Sequence, residues 1–157
     1  MILVGLALVP LCAVGALIAL IRVLVMALPG RPAPWPTHLT RRTAWLVAAV
    51  AAFVYSLGFL SVSGAEHDYN NGADSVPAPD CRDGVDEAVR EGLSHHESSY
   101  LPLRFDCVRE DGTSYPSDPD LTWINWTAMS LALTAGLLAV GAGYATELRA
   151  RRSTPKR

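Results

Sequence analysis

Three long apolar blocks, parted by charged segments, constrain this chain more than any other feature. They occupy residues 1–28, 44–63 and 123–145. A bilayer hydrocarbon core of roughly 30 Å is crossed by about 20 helical residues, and each block is long enough. With its apolar residues concentrated in this way, the chain packs helices in lipid and leaves residues 64–122 to fold in water. The first block carries no charge from Ile2 to Ile21, and its first basic residue, Arg22, follows the apolar stretch. A cleaved signal peptide needs the opposite order, basic residues first. We therefore read 1–28 as a transmembrane helix whose Arg22 reaches to the interface.

Charge then orients the spans. The formal net charge is only −2, but 14 of the 15 acidic residues fall between Gly64 and Thr122, together with four of the 13 basic ones. That segment is strongly acidic and the remainder is basic. Residues 29–43 carry Arg31, Arg41 and Arg42 with no acid, and Pro29, Pro32, Pro34 and Pro36 make a stiff connector that a helix cannot cross. Residues 146–157 carry Arg149, Arg151, Arg152, Lys156 and Arg157. Basic flanks stay on the cytoplasmic side. The N-terminus and the acidic domain are thus expected outside and the C-terminus inside. Trp35, Trp45, Trp123, Trp126 and Tyr144 stand where interfacial aromatic anchors belong. Asn125-Trp126-Thr127 fits the glycosylation pattern, but so close to the membrane we read it as chance.

Small residues recur on the second and third spans. Ala44, Ala48, Ala52 and Ser56 form one ridge; Ala132 and Gly136, then Ala135, Ala139 and Gly143, give the third span small faces. Such residues let helix backbones approach in lipid. Packing against the chain's own spans is the simpler use, and a homo-oligomer seam is the alternative.

The displayed segment reads as a small α+β domain. Glu66 to Pro79 has turn and breaker signals and reads as irregular. Asp83 can cap a helix whose Val85, Ala88, Val89 and Leu93 share a face, with Asp86 and Arg90 able to pair and Gly92 at its end. Leu101, Leu103, Phe105 and Cys107 alternate as in a half-buried strand, with Pro102 marking an edge. Asp111-Gly112 suits a two-residue hairpin turn, and Thr113-Ser114-Tyr115 can return. One helix on a hairpin is the expected arrangement. Cys81 and Cys107 lie on the oxidising side, where a pair is expected to join. Closing that loop stabilises the folded state by roughly 3 kcal/mol through chain entropy. A redox dithiol would favour Cys-x-x-Cys spacing, which is missing. Cys12, inside the first span, reads as apolar filler.

The run Ser99-Tyr100-Leu101-Pro102-Leu103-Arg104-Phe105-Asp106-Cys107, followed by Asp111-Gly112, Tyr115 and Trp123-Ile124-Asn125, resembles a pattern in small uncharacterised membrane proteins of actinobacteria. The resemblance spans about a quarter of the chain. It implies a bacterial inner membrane and an extracytoplasmic domain, and it implies no activity.

Chemical constellations are thin. His67, His95 and His96, with Glu66, Asp68 and Glu97, could in principle ligate a metal. Adjacent histidines project apart on any regular element, however, and a solvated helix end is the simpler reading. Asp80, Asp83, Asp86 and Glu87 lack the order of a calcium loop. No Gly-x-Ser-x-Gly and no phosphate-binding glycine loop is present. The spans hold no Asp, Glu, Lys or His of the kind that proton and ion relays use. The basic residues are too divided to bind nucleic acid. The expectation is a three-helix membrane protein, mainly α, with a disulfide-closed α+β extracytoplasmic domain. It would be non-enzymatic, without a cofactor, serving a membrane or envelope protein partner within the lipid bilayer. The alternatives are an enzyme or metal-binding protein at the outer face using His, Asp and Glu, or a scaffolding subunit of a transporter.

Overall fold

The computed structural model describes residues 2–27, 35–71, 78–82 and 86–153. Helix α1 is Ile2–Leu24, α2 Trp35–Asn71, α3 Glu87–Arg90 and α4 Asp120–Ser153, with strands β1 Leu93–Tyr100, β2 Leu103–Arg109 and β3 Ser114–Pro116. Helices α1, α2 and α4 are each long and apolar enough to cross a membrane. The chain divides into two compact units, one of Met1–Val9 with Val54–Trp126, the other of Pro10–Phe53 with Thr127–Arg157.

The first unit holds the sheet. Its order is β1-β2-β3, antiparallel throughout. In β2 the burial alternates: Leu103, Phe105 and Cys107 are buried, while Arg104 is exposed and Asp106 half-buried. The expected alternation is therefore present from Leu103 to Cys107, but Leu101, expected on the same inward face, lies outside β2 in the β1–β2 turn and is exposed. Pro102 lies outside the strand, in the turn that joins β1 to β2, where Leu101–Pro102 is a cis peptide. The core combines Val62 of α2, Ala78, Cys81, Leu103, Phe105, Cys107 and Leu121 of α4. Tyr55, Phe59, Ala65 and Tyr69, all on α2, pack against it.

Here the structure corrects the sequence reading. The helix expected from Asp83 to Gly92 is a single turn, Glu87–Arg90, while Asp83 and Val85 lie outside the described residues. Asp86 precedes the turn without a side-chain cap, and Arg90 donates to the Arg82 carbonyl instead of pairing with Asp86. Gly92 does leave the turn, at φ +73°, a conformation L-residues rarely adopt. Leu93, expected on the helix, opens β1. The helix that covers the sheet is the far end of α2. Glu66 to Asn71, read as irregular, continue α2, and Gly72 to Pro77 lie outside the described residues.

The turn between β2 and β3 is longer than the expected two residues. Arg109 N–H donates to the Thr113 carbonyl at 2.9 Å, and Gly112 sits between them at φ +81°. The Asp111 carboxylate accepts from the Thr113 N–H at 2.8 Å and its hydroxyl at 2.6 Å. Those two donors hold the carboxyl below its usual range. A group depressed on folding stabilises the fold above its unfolded pKa and loses that effect as pH falls through its folded pKa. Acid should therefore loosen this turn only beneath the ordinary carboxylate range. The difference in thermal unfolding between the native chain and Asp111→Asn, followed from neutral to acid pH, is expected to shrink there.

The second unit gathers basic residues. Arg42 donates to the Arg22 carbonyl in the last turn of α1 at 2.8 Å, a position where a cation complements the helix dipole. Arg149 of α4 donates to the Thr37 hydroxyl of α2. Helix α2 begins at Trp35, so part of the connector expected over residues 29–43 is helical; residues 28–34 lie outside the described residues. Pro36 falls in the first turn, where its missing N–H has no intrahelical partner to lose.

Candidate functional site

Between α2 and β1 lies the densest set of chemically capable side chains. Strand pairing places His96 opposite Cys107, Ser98 opposite Phe105 and Tyr100 opposite Leu103. Residues two apart on a strand share a face, so His96, Ser98 and Tyr100 share one. That face meets Glu66, one turn before the end of α2. The Ser98 hydroxyl donates to Glu66 Oε1, and His96 Nε2 stands 3.9 Å from the same oxygen. His96 is 12% exposed; its ring stacks on Phe105 at 4.8 Å and meets the edge of Tyr69 at 4.3 Å. Burial, and then the Glu66 charge, push the Tyr100 hydroxyl above its ordinary pKa.

The geometry decides what this cluster can do. A hydrolytic relay places the imidazole between hydroxyl and carboxylate. Here the carboxylate is in the middle, and both Ser98 and His96 converge on it. The Ser98 hydroxyl is spent on Glu66 and is not poised as a nucleophile. The cluster instead ties β1 to α2 through polar contacts, beside a core that is otherwise apolar.

The three histidines do not converge. His67 is exposed on α2; His95 is exposed on β1, 4.0 Å from Glu97 Oε1; His96 turns inward. The expected divergence of His95 and His96 is present, but both lie on a strand and not at a helix end. Among the described residues, no three His, Cys, Asp or Glu side chains are grouped to hold a metal ion.

Cys81 and Cys107 are joined, with Cα atoms 5.8 Å apart and both residues fully buried. A 3₁₀ turn over Pro79–Cys81 presents the first, and the inward face of β2 presents the second. The Tyr115 hydroxyl donates to the Cys81 carbonyl at 2.8 Å, so β3 also fastens the bridge. Arg109 donates to the Val89 carbonyl and lies over the Tyr115 ring, which links α3 to the sheet. Cys12 remains a free, half-buried thiol.

Of the small residues expected to pack helices, Ala44 and Ser56 are buried, Ala48 is half-buried and Ala52 is exposed. On the third span Ala135 is buried, while Ala132, Gly136, Ala139 and Gly143 are all exposed. The buried positions in the second unit are Ala44 and Ala51 of α2 and Ala128, Ala135 and Ala142 of α4. Their seven-residue spacing is that of left-handed helix packing; a four-residue ridge drifts off such a seam.

Two residues to which the sequence reading gave no structural role hold the sheet to the long helices. Asn125 of α4 accepts from the Leu103 N–H at 3.1 Å and donates to the Leu103 carbonyl at 2.9 Å. Its amide thus serves the strand as a neighbouring peptide would. Asn125→Ala would strip the partners from the N–H and carbonyl of buried Leu103 and is expected to cost about 1–3 kcal/mol, read from thermal unfolding in detergent. Gly58 of α2 is the second. A Cβ there would stand 2.7 Å from Leu103 Cδ1 and 2.9 Å from Ile124 Cγ2. Gly58→Val is expected to destabilise by about 1–3 kcal/mol through overpacking, measured in the same way. The Asn signal was in view as part of Asn-Trp-Thr, and its engaged amide gives that asparagine a structural task. No family model, curated protein or solved structure matches the chain.

Proposed function

We propose that this chain is a non-enzymatic integral membrane protein that displays the disulfide-closed sheet outside the cytoplasm and serves as an accessory subunit for another envelope protein. The supporting observation is the surface of its long helices. Leu3, Leu11 and Leu17 of α1 and Leu133, Leu137 and Val140 of α4 are all exposed, more large apolar side chains than a water-facing helix carries. Only Gly5 is buried in the described part of α1. On α4, exposed Trp123 and Tyr144 lie 21 residues apart, or about 32 Å at the helical rise, close to the hydrocarbon thickness. The gathering of Arg22, Arg42 and Arg149 in one unit supports a cytoplasmic side there, and the acidic segment supports the opposite side for the sheet.

The accessory role is favoured by a fold rich in packing and poor in reactive geometry. Glu66, His96 and Ser98 bind one another, and the exposed Ala132, Gly136, Ala139 and Gly143 would let a further helix approach α4. The test is the native mass of the complex taken from its own membrane without reductant or chelator. A second polypeptide at fixed ratio is expected. A monomer carrying stoichiometric metal would overturn the reading.

A further inference from the structure

The two ends of the small sheet differ in chemistry. The β2–β3 turn is Glu110-Asp111-Gly112-Thr113, acidic and exposed. The β1–β2 turn is Leu101-Pro102, and no charged residue lies between Ser98 and Leu103. Leu101 is 85% exposed, the most exposed large apolar side chain among the described residues.

This turn also sits low on the long helices. The Tyr100 carbonyl accepts from the hydroxyl of Tyr55, which lies 14 residues before Tyr69, about 21 Å down α2 at the helical rise. Leu103 touches Gly58 and is held by Asn125, which is flanked by exposed Trp123 and Trp126. Tryptophan at the ends of membrane helices marks the headgroup level.

The backbone around the turn is served by side chains. Tyr55 takes the Tyr100 carbonyl, the Ser99 hydroxyl accepts from the Leu101 N–H at 3.3 Å, and Asn125 takes both polar groups of Leu103. Pro102 has no N–H to satisfy. Non-helical backbone enters lipid only where its polar groups find such partners.

We propose that the β1–β2 turn is a membrane anchor: Leu101 and Pro102 seat in the lipid interface at the level of Trp123 and Trp126, with phospholipid as their partner. The inference rests on membrane insertion of the three long helices. It makes the sheet a partly lipid-bound structure, with the Leu101 end in the bilayer surface and the Asp111 end in water.

The test uses the full chain in phosphatidylcholine vesicles. In a Cys12→Ala background, Leu101→Cys, Ser114→Cys and Leu137→Cys each carry a small fluorophore. Quenching by brominated phospholipid and by aqueous iodide is compared. Position 101 is expected to resemble 137, with several-fold stronger lipid quenching than 114 and weaker iodide quenching. Equal iodide quenching at 101 and 114 would overturn the proposal. So would shielding of 101 from both quenchers, which would mean that protein covers it. Absence of lipid quenching at 137 would instead sink the membrane reading on which the proposal rests. The unsubstituted chain gives an independent readout. A photoreactive phospholipid should mark the peptide between Glu97 and Arg104, and labelling confined to the helices would count against the anchor.

Discussion

Phe105→Ala is expected to destabilise the sheet-bearing unit by about 3–5 kcal/mol, the range for deleting a buried aromatic side chain. Phe105 is 1% exposed, and it shares the buried core with Leu103 and Cys107 of β2 and Val62 of α2. Its removal leaves a cavity that the disulfide and the long helices prevent from collapsing. It also removes the ring on which His96 stacks, leaving the imidazole with Tyr69 alone as an aromatic neighbour. Phe105→Leu keeps most of the volume and should cost about 1 kcal/mol. Resistance to proteolysis in detergent, followed against denaturant, separates the two. Equal behaviour of both variants would place the core elsewhere.

The second large effect is expected from the disulfide. Replacing Cys81 and Cys107 together by Ser should cost about 3 kcal/mol or more. The entropic share follows from a loop closed across 26 residues of sequence separation. A further share comes from two hydroxyls placed where both side chains are fully buried. Replacing the pair by Ala removes the second share and keeps the first. If the Ser and Ala pairs unfold alike, burial contributes nothing. If the Ala pair matches the native chain, the bridge is not a structural element. Because the Tyr115 hydroxyl donates to the Cys81 carbonyl, loss of the bridge should also free β3, visible as faster amide exchange at Tyr115.

The parts of the fold that were legible in the sequence are those written in apolar periodicity or in chemistry. The three long apolar helices follow from uninterrupted apolar length, β2 from the alternation of Leu103, Phe105 and Cys107, and the bridge from two cysteines within one polar segment. Strand β1 was not legible, and the reason is physical. The residues on its α2 side are His96, Ser98 and Tyr100; Ser98 is exposed, and Ser98 and His96 both meet a carboxylate, Glu66. A polar face that finds a polar partner carries no hydrophobic signature. The covering helix was missed for a related reason. Glu66-His67-Asp68 reads as the end of a span, yet α2 continues through it because Val62, Ala65 and Tyr69 still face the sheet. The single turn of α3 was over-read, since Val85, Ala88, Val89 and Leu93 match a helical period that the chain leaves at Gly92.

The bridge between Cys81 and Cys107 gives the chain two covalent routes from α2 to α4. One is the main chain, and the other bypasses residues 82–106. A protease that cuts at Arg82, Arg90 or Arg104 severs only the first route, and the two halves travel as one molecule until a reductant is added. A cut after Arg109 lies outside the bypass and leaves no covalent link between them. Whether α2 and α4 stay covalently joined therefore depends on where the cut falls, and nicking inside the bypass leaves no trace on a non-reducing gel.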